Sequence, residues 1–168
     1  SVKRKNERKD EKKNETSSTS GSGVPIEKSE AFLQSAGLLG ATAKEIIKAV
    51  QPDAAVSSTA AALEASMNVI AMPNNRYVHV DSFVDLDEAE EAMGQILRTH
   101  FAQFGGYSNN QLLFGAASQE LSMFLNDNDC ENIDSVYAIA RFFFEKKAVA
   151  GEAYKFSTPH LFEKEPDY

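Results

Sequence analysis

One structural plan runs through this chain twice, and the repetition constrains the fold more than any single residue does. Each copy reads as a helix, a Gly-X-Ser/Thr turn, a second helix opened by a capping-box spacing, a third helix, and two short β-prone runs. The first copy spans roughly Ser29 to Phe83 and the second roughly Asp85 to Glu163. The division that follows is a tail over 1–28, a first unit over 29–83 and a second over 84–168. At 168 residues, the chain has room for one ordinary domain or two small ones. The expected class is mainly α with short β-hairpins (α+β), two like units in tandem behind a disordered N-terminal tail.

In the first copy, Ser29 suits an N-cap for a helix to about Leu39, with Phe32, Leu33, Ala36 and Leu39 on one face. Gly40 stops it. Thr42-Ala-Lys-Glu45 has the capping-box spacing, in which hydroxyl and carboxylate satisfy reciprocal orphan amides. That helix turns Ile46, Ile47 and Val50 inward and ends before Pro52. Val56-Ser-Ser-Thr59 opens an Ala-rich third helix. Val69-Ile-Ala-Met72 and Arg76-Tyr-Val-His-Val80 then flank Pro73-Asn-Asn75 as a hairpin. In the second copy, Asp85 caps a long helix that ends at Gly105-Gly106, and Ser108-Asn-Asn-Gln111 repeats the capping-box spacing. Leu112 to Leu125 form its second helix, and Ile133 to Phe144 line the third, with Asn132 or Asp129 as cap. A last hairpin is expected from Ala148–Ala150 and Ala153–Ser157 around Gly151-Glu152, with Leu161-Phe162 as a further strand.

Residues 1–23 are polar and low in complexity, ending in Glu15-Thr-Ser-Ser-Thr-Ser-Gly-Ser-Gly23. Ordering such a stretch costs conformational entropy with almost no apolar surface to bury. It reads as a linker, which implies another domain upstream; a solubilising tail is the plainer alternative. Charge divides in the same place. Residues 1–30 carry eight Lys/Arg against six acids, while residues 31–168 carry nine against nineteen. Cys130, the one cysteine, excludes an internal disulfide framework and suits a cytoplasmic setting. No apolar run is long enough to span a bilayer.

This order of elements resembles the winged helix-turn-helix superfamily, and the first unit is similar to the compact HARE-type winged helices. The likeness lies in element order and covers about four fifths of the chain. It implies that the third helix would enter a major groove while the hairpin, or wing, touches phosphates.

On that basis the candidate contacts in the first unit are Thr42, Lys44, Lys48, Ser57, Ser58, Thr59, Asn74, Asn75 and Arg76. Against groove reading, the third helix contains no Arg or Lys. Bidentate reading of guanine needs one of them, and an acidic body releases few counterions from DNA. The second unit offers Phe142, Phe144 and Arg141 as candidates for partner or inter-domain packing. Three consecutive phenylalanines, about 100° apart on a helix, cannot all enter one core.

Asp127-Asn-Asp129-Cys-Glu131 alternates oxygens as a calcium loop does, yet Asn132 and Ala138 replace the Gly and Glu such a loop requires. His79, His100 and His160 have no metal spacing. Glu88, Glu90 and Glu91 suit a helix start better than an acid/base pair. Hence no catalytic residue, cofactor or metal is expected. The expected role is a non-catalytic docking module of a larger nucleic-acid-related protein. It would bind a protein partner or its own upstream domain through Phe142, Phe144 and the Ala-rich helix. Direct DNA or RNA binding, with Lys3 to Lys13 adding affinity, is the alternative; an enzyme is the third and least favoured.

Overall fold

A computed structural model of the chain describes residues 21–148 and 153–164. Helices dominate, joined by two small antiparallel sheets.

In the first half, helix α1 (Ile26–Ala36) begins after Pro25, earlier than Ser29 and inside the stretch expected to be linker. Proline suits a helix start because its missing N–H would be unpaired there anyway. Ser29 is therefore interior to α1, and its buried Oγ has no hydrogen-bond partner among the described residues. Val24, also within the expected tail, is buried. A 3-10 turn (Gly37–Leu39) leads to Gly40, whose φ is +64°. A Cβ there would sit 2.2 Å from the Tyr77 carbonyl oxygen, so only glycine lets the turn approach this strand. Strand β1 (Ala41–Thr42) and helices α2 (Ala43–Val50) and α3 (Val56–Ala65) follow. The expected capping box is present. Thr42 Oγ1 accepts from Glu45 N at 3.1 Å, and Glu45 Oε1 accepts from Thr42 N at 3.0 Å. Strands β2 (Val69–Met72) and β3 (Arg76–His79) form a hairpin around Asn74 and Asn75, which hold left-handed φ of 66° and 59°.

The second half opens with α4 (Leu86–Gln103). Asp85 holds the cap position in a left-handed conformation, but its side chain makes no capping bond. After β4 (Tyr107–Asn109), the cap of α5 (Asn110–Glu120) is Asn109, which accepts from Leu112 N at 2.8 Å. Ser108, the expected cap, is instead bonded to His100. The expected second helix breaks at Leu121 into α5 and α6 (Ser122–Asp127). Helix α7 (Ile133–Arg141) is capped by Asn132, which accepts from Ser135 N, and it runs on into a π-turn (Phe142–Lys146). Strands β5 (Lys155–Ser157) and β6 (His160–Phe162) make the hairpin around Thr158–Pro159. The hairpin expected around Gly151-Glu152 falls largely outside the described residues.

Both sheets have the same strand order, β1-β3-β2 and β4-β6-β5. Their surroundings differ. Val69, Ala71 and Tyr77 of the first sheet face a core shared with Leu33, Ile46 and Leu63 of α1, α2 and α3. The alternate residues Ile70, Met72 and Val78 belong to a larger cluster with Met93, Leu113, Ile139 and Phe143. Since side chains alternate across a strand, this sheet is covered on both faces. Each fully buried Ile or Val contributes about 1.5–3 kcal/mol, so the halves are fastened by a continuous apolar layer.

Ser29→Ala separates the two assignments of that residue. A true N-cap would lose about 1 kcal/mol on truncation. As an interior residue with an unpaired buried hydroxyl, Ser29 should instead give a variant more stable by roughly 1 kcal/mol. Urea unfolding, read by circular dichroism, distinguishes the signs.

Candidate functional site

The residues singled out in the first half divide into those spent on the fold and those left on the surface. Arg76 is spent. Its Nε donates to Leu39 O at 2.9 Å, and its Nη2 donates to Gly40 O at 3.0 Å and to Glu45 Oε1 at 3.2 Å. One guanidinium thus satisfies two turn carbonyls and meets the capping-box carboxylate, which its planar fork is shaped to do. Thr59 is also spent: it is fully buried, accepts from Val24 N at 2.9 Å and donates to Ala55 O at 2.8 Å. Ser58 Oγ donates to Gly21 O. Thr42 is held in its cap. Lys44 and Lys48, four residues apart on α2, stay exposed, as do Ser57, Asn74 and Asn75.

The aromatic candidates of the second half are internal. Phe142 and Phe143 are buried in the larger cluster, and half-buried Phe144 packs on Tyr154 with ring centroids 5.4 Å apart. Of the two uses expected of Phe142 and Phe144, packing within the chain is the one their contacts show, so a partner would not dock directly on these rings. Arg141 is exposed and holds Glu145 Oε1 at 2.7 Å. This hydrogen bond raises the guanidinium's affinity for its proton.

Sequence reasoning missed Lys146. The π-turn swings its half-buried ammonium across to the first half, where it donates to Leu63 O at 3.3 Å and Val69 O at 2.9 Å. Leu63 lies in the last turn of α3, an end that favours a cation. Burial lowers the Lys146 pKa, opposed by the charge of Glu64. Lys147, the next residue, pairs with Glu90. Apart from π-bulges marking unusual sites, nothing local in Phe142-Phe-Phe-Glu-Lys146 announces this reach.

The histidines are occupied as well. His100 Nδ1 and Ser108 Oγ lie 2.8 Å apart, the contact expected of a nucleophile and its base. Ser108 is fully buried, however, so no substrate reaches its oxygen; the pair ties α4 to β4. His79 Nδ1 accepts from Asp81 N, and His160 Nδ1 meets the Tyr107 hydroxyl. In the loop that resembled a calcium site, Asn128 is buried, and its Oδ1 accepts from Val84 N at 2.8 Å while its Nδ2 donates to Val84 O. Burial pushes the Cys130 thiol up to about 12, so it is not a nucleophile at neutral pH.

Two clefts flank the tip of the first hairpin and share Met72, Pro73, Asn74 and Asp134. One, of about 320 Å³, has an apolar floor of Leu38, Met72, Val78 and Phe83 below Asp129 and Asp134. The other, of about 590 Å³, runs along α7 between Glu64 and Arg141. Compared with known protein families, curated proteins and solved structures, the chain matches none of them.

Tyr77 supplies a pH test of the wall beside the larger cleft. Its hydroxyl donates to Glu64 Oε2 at 3.1 Å. Burial first, and then the Glu64 charge, raise the phenol from 10.0 to about 12. A folded-state pKa above the unfolded one gives stability that is complete below pH 10 and is lost as pH rises towards 12. Tyr77→Phe should therefore flatten the fall in urea midpoint over that window relative to the parent chain. Identical slopes would refute the assignment.

Proposed function

We propose that this chain is a non-catalytic docking module of a larger, nucleic-acid-related protein, built from two winged-helix units in tandem. Supporting the winged-helix reading, each half repeats the order helix, short strand, second helix (unbroken α2 in the first half, α5 and α6 in the second), third helix and hairpin. In each, the short strand pairs with the second arm of the hairpin.

The observation that carries the docking role is the fate of the cations on the surface that a winged helix would turn to a groove. Helix α3 has none, and it carries Glu64. Arg76, the cation of the first wing, is bound to Glu45 and two carbonyls. A phosphate would have to displace those bonds and then sit against an acidic body. Since counterion release scales with the cations delivered to phosphate, little affinity is left to gain. The non-catalytic reading is supported by the inaccessibility of Ser108 and Cys130. No helix among the described residues is long and apolar enough to cross a membrane.

Anisotropy titrations at low salt with labelled duplex DNA and single-stranded RNA test this role. A full chain with Lys3, Arg4, Lys5, Arg8, Lys9, Lys12 and Lys13 changed to Gln should bind neither. Salt-sensitive binding that survives those changes and disappears in Lys44→Gln/Lys48→Gln would contradict the proposal, giving the surface to nucleic acid.

A further inference from the structure

The two clefts meet at Met72, Pro73, Asn74 and Asp134, forming one trough across the tip of the first hairpin. Its floor is apolar, with Leu38, Met72, Val78 and Phe83 beneath one arm. Leu39 stands at the lip with 74% of its surface exposed, where it extends the apolar floor. The charges on the walls are unequally satisfied. Arg76 and Arg141 line the trough paired with Glu45 and Glu145, while Lys146, held by the Leu63 and Val69 carbonyls, has its charge opposed by Glu64 in the same lining. Asp129 and Asp134, both exposed, have no ion-pair partner among the described residues. The walls therefore present unneutralised carboxylates over hydrocarbon.

From this we infer that the trough is a docking groove for a basic peptide carrying an aliphatic or aromatic anchor, the anchor resting on the Leu38–Phe83 floor and its cations meeting Asp129 and Asp134. The inference rests on the docking role proposed above and names its site and partner class. Charge complementarity selects this occupant over others. A polynucleotide would bring phosphates to carboxylates. A second copy would bring another acidic body. The chain's own basic tail has cations but, over residues 3–20, no side chain apolar enough to fill the floor.

A fluorescein-labelled peptide Lys-Arg-Leu-Lys-Arg-Phe is the probe, titrated into the full chain. Saturable binding is expected, weakened at least tenfold when Leu and Phe of the peptide become Ser, or when its cations become Glu. Asp129→Asn/Asp134→Asn and, separately, Leu39→Ser should each weaken it by a similar factor. Because all three positions are exposed, circular dichroism and urea midpoints should match the parent. Equal binding by both variants, or no binding of the probe, overturns the trough assignment while leaving the docking role standing. That role fails only if the tail-neutralised chain binds nucleic acid and loses that binding in Lys44→Gln/Lys48→Gln. Tighter probe binding by the tail-neutralised chain would give the trough to the tail. A dimer in sedimentation that Leu39→Ser disperses would give it to a second copy. Either result overturns the inference.

Discussion

The arrangement depends on one sheet of three short strands being covered on both faces. Val69 and Tyr77 look into the core of α1, α2 and α3, while Ile70 and Val78 look into the core that α7 shares with the rest of the second half. A sheet this small is marginal alone. Enclosed between two helical layers, it becomes the layer through which each half completes the other. The Lys146 ammonium closes one end of this seam by donating to the Leu63 and Val69 carbonyls where the halves meet.

That construction uses up several of the groups a nucleic-acid reader would need, leaving Lys44 and Lys48 exposed on α2. Arg76 braces the turn between Leu39 and Gly40, Thr59 ties the chain at Val24 to α3, and Lys146 and Lys147 fasten the π-turn. The same construction leaves a trough where the hairpin tip overhangs α7, floored by hydrocarbon and edged by acids. Stability and the proposed function therefore share a cause. Packing the halves against one another takes the Lys146 ammonium and leaves the groove beside the hairpin tip, while Arg76 is taken up within its own half.

Local, short-range chemistry was legible in the sequence, and tertiary competition was not. The Thr42–Glu45 capping box and the Pro73–Asn75 turn depend on neighbours within a few residues and form as read, and of the two caps offered for α7 the structure uses Asn132. Ser29 and Ser108 misled because serine's preference for caps is only a propensity. Pro25 had already started α1, and His100 had claimed the Ser108 hydroxyl. The break at Leu121 has no Gly or Pro to announce it. Two signals of the covered sheet were present: Val69-Ile-Ala-Met72 lacks polar alternation, and three consecutive phenylalanines demand more than one surface. The phenylalanines pointed to internal packing, but not to the lysine two residues further on. The trough could not be read at all, since Leu38, Met72 and Asp134 converge only through the seam.

Native-state hydrogen exchange, read at Val78 in β3 and Ile139 in α7, tests the shared-sheet account most directly. If both halves depend on the doubly covered sheet, the two amides should exchange through one opening, with equal free energies and equal urea dependence. Exchange of Val78 through a separate, smaller opening while Ile139 stays protected would contradict it.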